Sequence, residues 1–304
     1  MAHVEVAKSA GFCFGVSRAV KLAESAAENG GKIATLGPII HNDCVVERLA
    51  QKGVRIINSP DEALPDETVV IRSHGIDEKT ERRIIENGNR YIDATCPFVK
   101  KIHRLVNSAY QENKKIIIIG DPNHPEVRGI NGWCGGSALV VQSCEEAENI
   151  TINGENGAIV VSQTTFDREL WKKIAKIIKN TCQSTIIFDT ICSATNERQE
   201  EARSLAEKSD CFIVIGDRKS SNTMKLFNLA KPLCANVYFA ENAASLPRIS
   251  VGDGELIGIT AGASTPDWII KEVLKTMVEE KNTNIQGNGE PTFAEAFEQS
   301  LVTL

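Results

Sequence analysis

Asp93-Ala94-Thr95-Cys96-Pro97 closes an apolar run and opens a helical pattern, and the chain writes that junction twice more. Gly11-Phe12-Cys13-Phe14-Gly15 and Asp189-Thr190-Ile191-Cys192-Ser193 are the other two copies. Downstream of each cysteine a strand-like run ends in a glycine at the same distance: Gly37 follows Cys13, Gly120 follows Cys96 and Gly216 follows Cys192 by 24 residues. Equal spacing in three places marks an internal repeat. If three such units pack about an axis, three thiols converge at one point.

Between these junctions short β-rich runs alternate with helical periodicity. Strands are expected at 32–36, 54–57, 68–72, 90–94, 115–119, 138–142, 158–162, 185–189, 211–215, 236–240 and 256–260. Helices are expected at 16–29, 43–52, 97–111, 167–180, 196–208 and 266–280, each with apolar residues at helical spacing. Such alternation implies parallel sheets covered by helices. Four strands fall in each of the first two repeats and three in the last, and the run at 3–6 is the candidate for a twelfth, which joins the start of the chain to its end. The expected organisation is α/β: three pseudo-repeated α/β domains in a trefoil-like ring, with units at 1–94 (including the N-terminal strand), 95–190 and 191–281 and a tail at 282–304.

Composition narrows the function. The 304 residues carry a formal charge of −6 and no Lys/Arg-rich run, which argues against nucleic acid or an anionic membrane as partner. No basic segment followed by a long apolar one opens the sequence, and no apolar run approaches a membrane span, so a cytoplasmic location is expected. Nine cysteines without a clustered framework read as thiols of a reducing compartment.

Cys13, Cys96 and Cys192 each stand at the start of a helical pattern, where the partial positive charge of the helix N-terminus stabilises a thiolate. Structural zinc takes four ligands, often in close pairs, and none of the three has a C-x-x-C partner. An iron–sulfur cluster held by three cysteines, with one iron left open, fits the count better. Cys44, Cys134, Cys144, Cys182, Cys211 and Cys234 lack that placement and read as structural.

Ligand groups in α/β units sit in the loops after the strands. The first such loop of each unit reads Gly37-Pro38-Ile39-Ile40-His41-Asn42, Gly120-Asp121-Pro122-Asn123-His124-Pro125-Glu126 and Gly216-Asp217-Arg218-Lys219-Ser220-Ser221-Asn222. A later loop reads Arg72-Ser73-His74-Gly75, Ser162-Gln163-Thr164-Thr165 and Ala261-Gly262-Ala263-Ser264-Thr265. Three of the five histidines of the chain fall in these loops. A ring of imidazole, hydroxyl and amide donors suits a polyanion such as a diphosphate, while a triphosphate-cradling G-x-x-x-x-G-K loop is absent. Glu126, two residues after His124 in a Pro-bounded turn, is the candidate acid. Thr164 or Thr165 is placed to fix a substrate hydroxyl. Arg72, Arg128, Arg218 and Lys219 read as solvated, and His3 and His103 receive no role.

Taken with Asp93-Ala94-Thr95-Cys96-Pro97, His124-Pro125-Glu126-Val127, Ile191-Cys192-Ser193-Ala194-Thr195-Asn196 and Gly262-Ala263-Ser264-Thr265-Pro266, these motifs resemble the 4-hydroxy-3-methylbut-2-enyl diphosphate reductase family over roughly 3–280. The resemblance implies a trefoil around a 4Fe-4S cluster on Cys13, Cys96 and Cys192. It implies reductive dehydroxylation of an allylic diphosphate to isopentenyl and dimethylallyl diphosphate, the last step of the non-mevalonate isoprenoid pathway. It assigns diphosphate binding to His41, His74, His124, Ser220, Asn222 and Ser264 with help from Ser221, hydroxyl orientation to Thr164 with help from Thr165, and proton delivery to Glu126. With no G-x-G-x-x-G nucleotide loop in the chain, the electron donor is expected to be a ferredoxin or flavodoxin.

Two rivals stay open at this level. An iron–sulfur hydro-lyase would call for Arg clamps on a carboxylate substrate, and a redox sensor would need the thiols but neither an acid nor a hydroxyl-binding Thr. The polar stretch 281–291 and the amphipathic stretch 292–299 read either as a docking helix or as the leader into a further domain.

Overall fold

In the computed structural model, residues 2–151, 156–182, 184–249 and 252–284 are described. The chain divides into two compact units, one of residues 14–193 and one made of the described parts of 1–13 and 194–304.

In chain order, β1 (His3–Val6), α1 (Phe14–Glu28), β2 (Lys32–Leu36), α2 (Asp43–Gln51), β3 (Val54–Ile57), β4 (Glu67–Ile71), α3 (Glu78–Glu86) and β5 (Arg90–Asp93) lead to the second cysteine junction. Then come α4 (Pro97–Gln111), β6 (Lys115–Ile119), α5 (Pro125–Gly132), β7 (Leu139–Val141), α6 (Cys144–Glu148), β8 (Ala158–Ser162), α7 (Arg168–Thr181) and β9 (Thr185–Ile187). The last stretch holds α8 (Ser193–Lys208), β10 (Cys211–Ile215), α9 (Ser221–Ala230), β11 (Asn236–Ala240), β12 (Leu256–Ala261) and α10 (Asp267–Asn284).

Three four-stranded sheets result, ordered β3-β2-β4-β5, β7-β6-β8-β9 and β1-β12-β10-β11. Every strand pairing among the described residues is parallel. Parallel sheets are covered on both faces, so their strands run apolar without alternation. The Ile116 to Ile119 run shows the consequence: Ile116 and Ile118 enter one core cluster with Val106, Val127 and Ile130, while Ile117 and Ile119 enter another with Ile174 and Ile178.

The third sheet holds the twelfth strand expected at 3–6, which joins the start of the chain to its end. The strand counted with residues 1–94 pairs with β12 in the register His3↔Leu256 to Val6↔Ile259. It is the fourth strand of the sheet to which β10, β11 and β12 belong, in the position that β5 and β9 hold in the other two. The amphipathic stretch expected at 292–299 lies outside the described residues, as does the tail from 285 onward.

The repeat is also visible in single hydrogen bonds. Gly37, Gly120 and Gly216 each donate a backbone N–H to the last residue of the neighbouring edge strand, Ile57, Val141 and Ala240, at 2.8, 2.9 and 2.9 Å.

Candidate active site

The three junction cysteines share one backbone anchor. Cys96 N donates to Ser73 O (2.9 Å), Cys192 N to Thr164 O (3.0 Å) and Cys13 N to Ala263 O (3.2 Å). Each acceptor lies two residues past the end of the third strand of its sheet, β4, β8 and β12. Each cysteine is thereby tied to the loop that carries His74, Thr164 or Ser264. Cys96 is the N-cap of α4 with no side-chain cap hydrogen bond, and Pro97 occupies the first helical position, where its missing N–H costs nothing.

Space for the Cys96 sulfur is made by a glycine. A Cβ built at Gly15 would lie 2.5 Å from Cys96 Sγ and 3.2 Å from its Cβ, so the start of α1 packs directly on the thiol. Arg18, one turn on, ties α1 to the same junction through hydrogen bonds to Thr95 O and Asp93 O, both at 3.2 Å. This donor set, soft thiols at three equivalent helix starts and a glycine that leaves room for the Cys96 sulfur, fits iron–sulfur ligation. In the sequence Gly15 reads only as part of its junction motif and Arg18 carries no signal, since a helical Gly and Arg are ordinary until the neighbour they touch is known.

Within residues 14–193, the loops of two sheets meet. His41, His74 and His124 form a cluster with ring centroids 4.5, 5.8 and 5.5 Å apart. Close packing of α5 against residues 75–77 brings them together: a Cβ at Gly132 would fall 2.0 Å from Asp77 Cβ, and Trp133 Nε1 donates to Ile76 O at 2.9 Å. Burial, then the positive fields of His41, His124 and Arg72, hold the His74 imidazole well below its ordinary pKa. Its Nδ1 is buried with no hydrogen-bond partner, a site open to a ligand.

His124 has a second task as the N-cap of α5, where Nδ1 accepts from Glu126 N at 3.2 Å. Acceptance at Nδ1 leaves Nε2 to carry the proton of the neutral ring. Glu126, 2 % exposed, is held at both oxygens by one residue: Thr164 N donates to Oε1 at 2.5 Å and Thr164 Oγ1 to Oε2 at 2.8 Å. Thr165 Oγ1 accepts from Gln163 Nε2 at 2.8 Å. Arg72, expected to be solvated, is half-buried, its guanidinium filling the space a side chain at Gly37 would take.

In the other unit, Ser220 caps α9 by accepting from Thr223 N at 3.3 Å. Ser221 and Asn222 lie in the first turn of that helix rather than in the loop, as Glu126 lies in the first turn of α5. The capping residues start both helices earlier than the loop composition suggested. Asn222 Oδ1 accepts from Ala263 N at 2.9 Å, which ties α9 to the loop after β12. Asn222 Nδ2 and Ser264 Oγ are buried without partners, two donors ready for an anion.

His103, given no role by its position in the sequence, is 5 % exposed and stacks on Trp133 at 5.4 Å. It lines a cavity of about 190 Å³ with Trp133, Thr95, Asp93 and Arg104. Burial lowers its pKa to about 4, so it is a neutral packing group.

The family model described as LytB protein matches residues 4–278. The 4-hydroxy-3-methylbut-2-enyl diphosphate reductase of Caldanaerobacter subterraneus subsp. tengcongensis is 43% identical over 292 residues, 95% of this chain and 99% of that protein. The protein of the same name from Clostridioides difficile is 41% identical over 273 residues, 90% and 98% of the two chains. That of Clostridium acetobutylicum is 43% identical over 95% of this chain but 45% of its own greater length. Among solved structures, an (E)-4-hydroxy-3-methyl-but-2-enyl diphosphate reductase aligns with TM-score 0.67 and 40% identity over 92% of this chain and all of that one. A Plasmodium falciparum reductase, 24% identical with TM-score 0.86 over 99% of this chain and 98% of its own, shares the fold.

Proposed function

The chain belongs to the LytB family, an oxidoreductase that reduces 4-hydroxy-3-methylbut-2-enyl diphosphate in the non-mevalonate pathway, and on that premise we propose how its residues divide the work. The family implies an iron–sulfur cluster. We assign a 4Fe-4S cluster to Cys13, Cys96 and Cys192, on the strength of their shared helix-start position, their shared backbone anchor and the cradle that Gly15 leaves for the Cys96 sulfur. When bound, that cluster supplies single electrons and a Lewis-acidic iron for the substrate hydroxyl.

The overall change replaces the allylic hydroxyl by hydrogen, consuming two electrons and two protons and releasing water. His41, His74 and His124 hold the diphosphate through imidazole N–H groups, and Ser220, Asn222 and Ser264 add donors, with Ser221 in support. The His74 imidazole, held neutral by its burial, bonds a phosphoryl oxygen without the desolvation cost of a buried cation. Thr164 Oγ1 orients the hydroxyl, with Thr165 in support. Glu126 delivers the proton to the departing oxygen, its carboxyl fixed by the Thr164 amide so that acid and oriented hydroxyl share one residue.

The observation that carries this reading is the buried Glu126–Thr164 pair next to a cluster of three imidazoles. No helix among the described residues is long and apolar enough to cross a membrane, and a ferredoxin or flavodoxin of the cytoplasm is the donor we assign. The test is anaerobic turnover of the diphosphate by reconstituted protein with reduced viologen, with products identified by mass. Five-carbon diphosphates lacking the hydroxyl, formed as viologen is oxidised, are expected. A loaded protein that leaves the substrate intact refutes the assignment.

A further inference from the structure

Two of the large apolar side chains left on the surface flank the same thiol. Phe14, 67 % exposed, is the first residue of α1 and precedes the Gly15 that packs on Cys96; Phe98, 45 % exposed, follows Cys96 by two residues in α4. Aromatic side chains left this exposed at helix starts contribute little to the core, and large exposed apolar groups beside a candidate site mark contact surfaces.

The two helix segments that carry them are basic, with Glu81 and Asp93 on the neighbouring elements that line the cavity beside Arg104. Residues 14–23 and 97–111 contain Arg18, Lys21, Lys100, Lys101 and Arg104 and no acidic residue, in a chain of net charge −6. Arg18 is turned inward to Thr95 O and Asp93 O, and Lys100 pairs with Asp93. Lys21, Lys101 and Arg104 are exposed and enter no ion pair among the described residues. Helical spacing places Lys21, seven residues on, below Phe14 and Lys101, three residues on, beside Phe98, and Arg104 stands one turn beyond Lys101.

We propose that Phe14, Phe98, Lys21, Lys101 and Arg104 form the docking surface for a small acidic protein that carries one electron at a time. Aromatic anchors supply the desolvated centre of the contact, and the cations steer an acidic partner onto it. A second copy of this chain fits less well, because a two-fold contact through this surface would set cation against cation. The inference rests on Cys96 as a cluster ligand: a carrier seated on Phe14 and Phe98 stands at the backbone that holds that sulfur, whereas a small reduced viologen needs no docking surface.

The experiment compares wild type with the Lys101→Glu/Arg104→Glu double variant, each reconstituted and checked for equal iron. Turnover is driven either by reduced ferredoxin or by reduced viologen. At low salt the double variant is expected to lose on the order of tenfold in kcat/KM for ferredoxin and to lose the wild type's salt dependence, with viologen-driven turnover unchanged. Phe98→Ser should weaken ferredoxin coupling at all salt concentrations. Equal ferredoxin-driven rates and salt profiles in wild type and double variant, with viologen turnover intact, overturn the docking surface. So does a wild type that accepts viologen electrons but none from ferredoxin. Absence of viologen-driven turnover in wild type refutes instead the reductase assignment on which the inference rests.

Discussion

Replacing Gly15 by Ala places a methyl group 2.5 Å from Cys96 Sγ and 3.2 Å from Cys96 Cβ. Ordinary non-bonded contact is roughly 3.5–4.0 Å, so the sulfur must retreat by about 1 Å or α1 must shift by as much. Metal–thiolate bonds tolerate only about 0.2 Å. The backbone cannot yield easily, because Arg18 pins α1 to Thr95 O and Asp93 O and Cys96 N is held by Ser73 O. Overpacking of this kind costs about 1–3 kcal/mol, a few degrees in Tm for a chain of this size. Anaerobic reconstitution followed by iron and acid-labile sulfide analysis is the assay, with thermal unfolding of the metal-free protein alongside. Gly15→Ala should hold substantially less iron than wild type and unfold earlier. Full iron and an unmoved transition would show that the Gly15–Cys96 contact does not position the thiol.

Glu126→Gln keeps the shape of the side chain and removes the proton, so it should load its cluster and lose on the order of a hundredfold or more in viologen-driven turnover; unchanged turnover removes Glu126 as the acid. Cys96→Ser should reconstitute with little iron, and an intact cluster in that variant would refute the ligand set. His103 titrates near 4 in the folded chain against an ordinary 6.5, so as pH falls through 6.5 the unfolded chain takes up the proton first and stability declines until about pH 4. The loss is about 3 kcal/mol from this residue. Denaturant unfolding at about pH 7 and about pH 5 should show a smaller difference for His103→Gln than for wild type, and equal differences would contradict the burial that lowers its pKa.

Much of the fold was legible because parallel α/β units write their strands as separate apolar runs. The runs at 32–36, 54–57, 115–119, 158–162, 211–215 and 236–240 coincide with β2, β3, β6, β8, β10 and β11 residue for residue. The edge strands β7 and β9 are shorter than expected, at Leu139–Val141 and Thr185–Ile187, because a strand with one partner loses pairing at its ends first. Site residues were legible as types at repeated turns, and three of the five histidines do meet. What the turns could not show was pairing across distance. Glu126 and Thr164 are 38 residues apart and belong to loops whose approach depends on the registers of β6 and β8. Gly15 and Gly132 carry no chemistry of their own, and their importance lies wholly in the atoms that would collide with a side chain there.

The pairing of β1 with β12 sets an order of events during synthesis. The sheets within residues 14–193 are complete as soon as those residues have left the ribosome, but His3 waits for Leu256. Contacts so remote in sequence form late, after the long loop between them has been made. Cys13 is therefore the first of the three junction cysteines to be translated and the last to reach its place, since its anchor is Ala263 O. A nascent chain holding only Cys96 and Cys192 lacks the third thiol position, so a metal centre assembled through all three would certify that translation had passed the final strand.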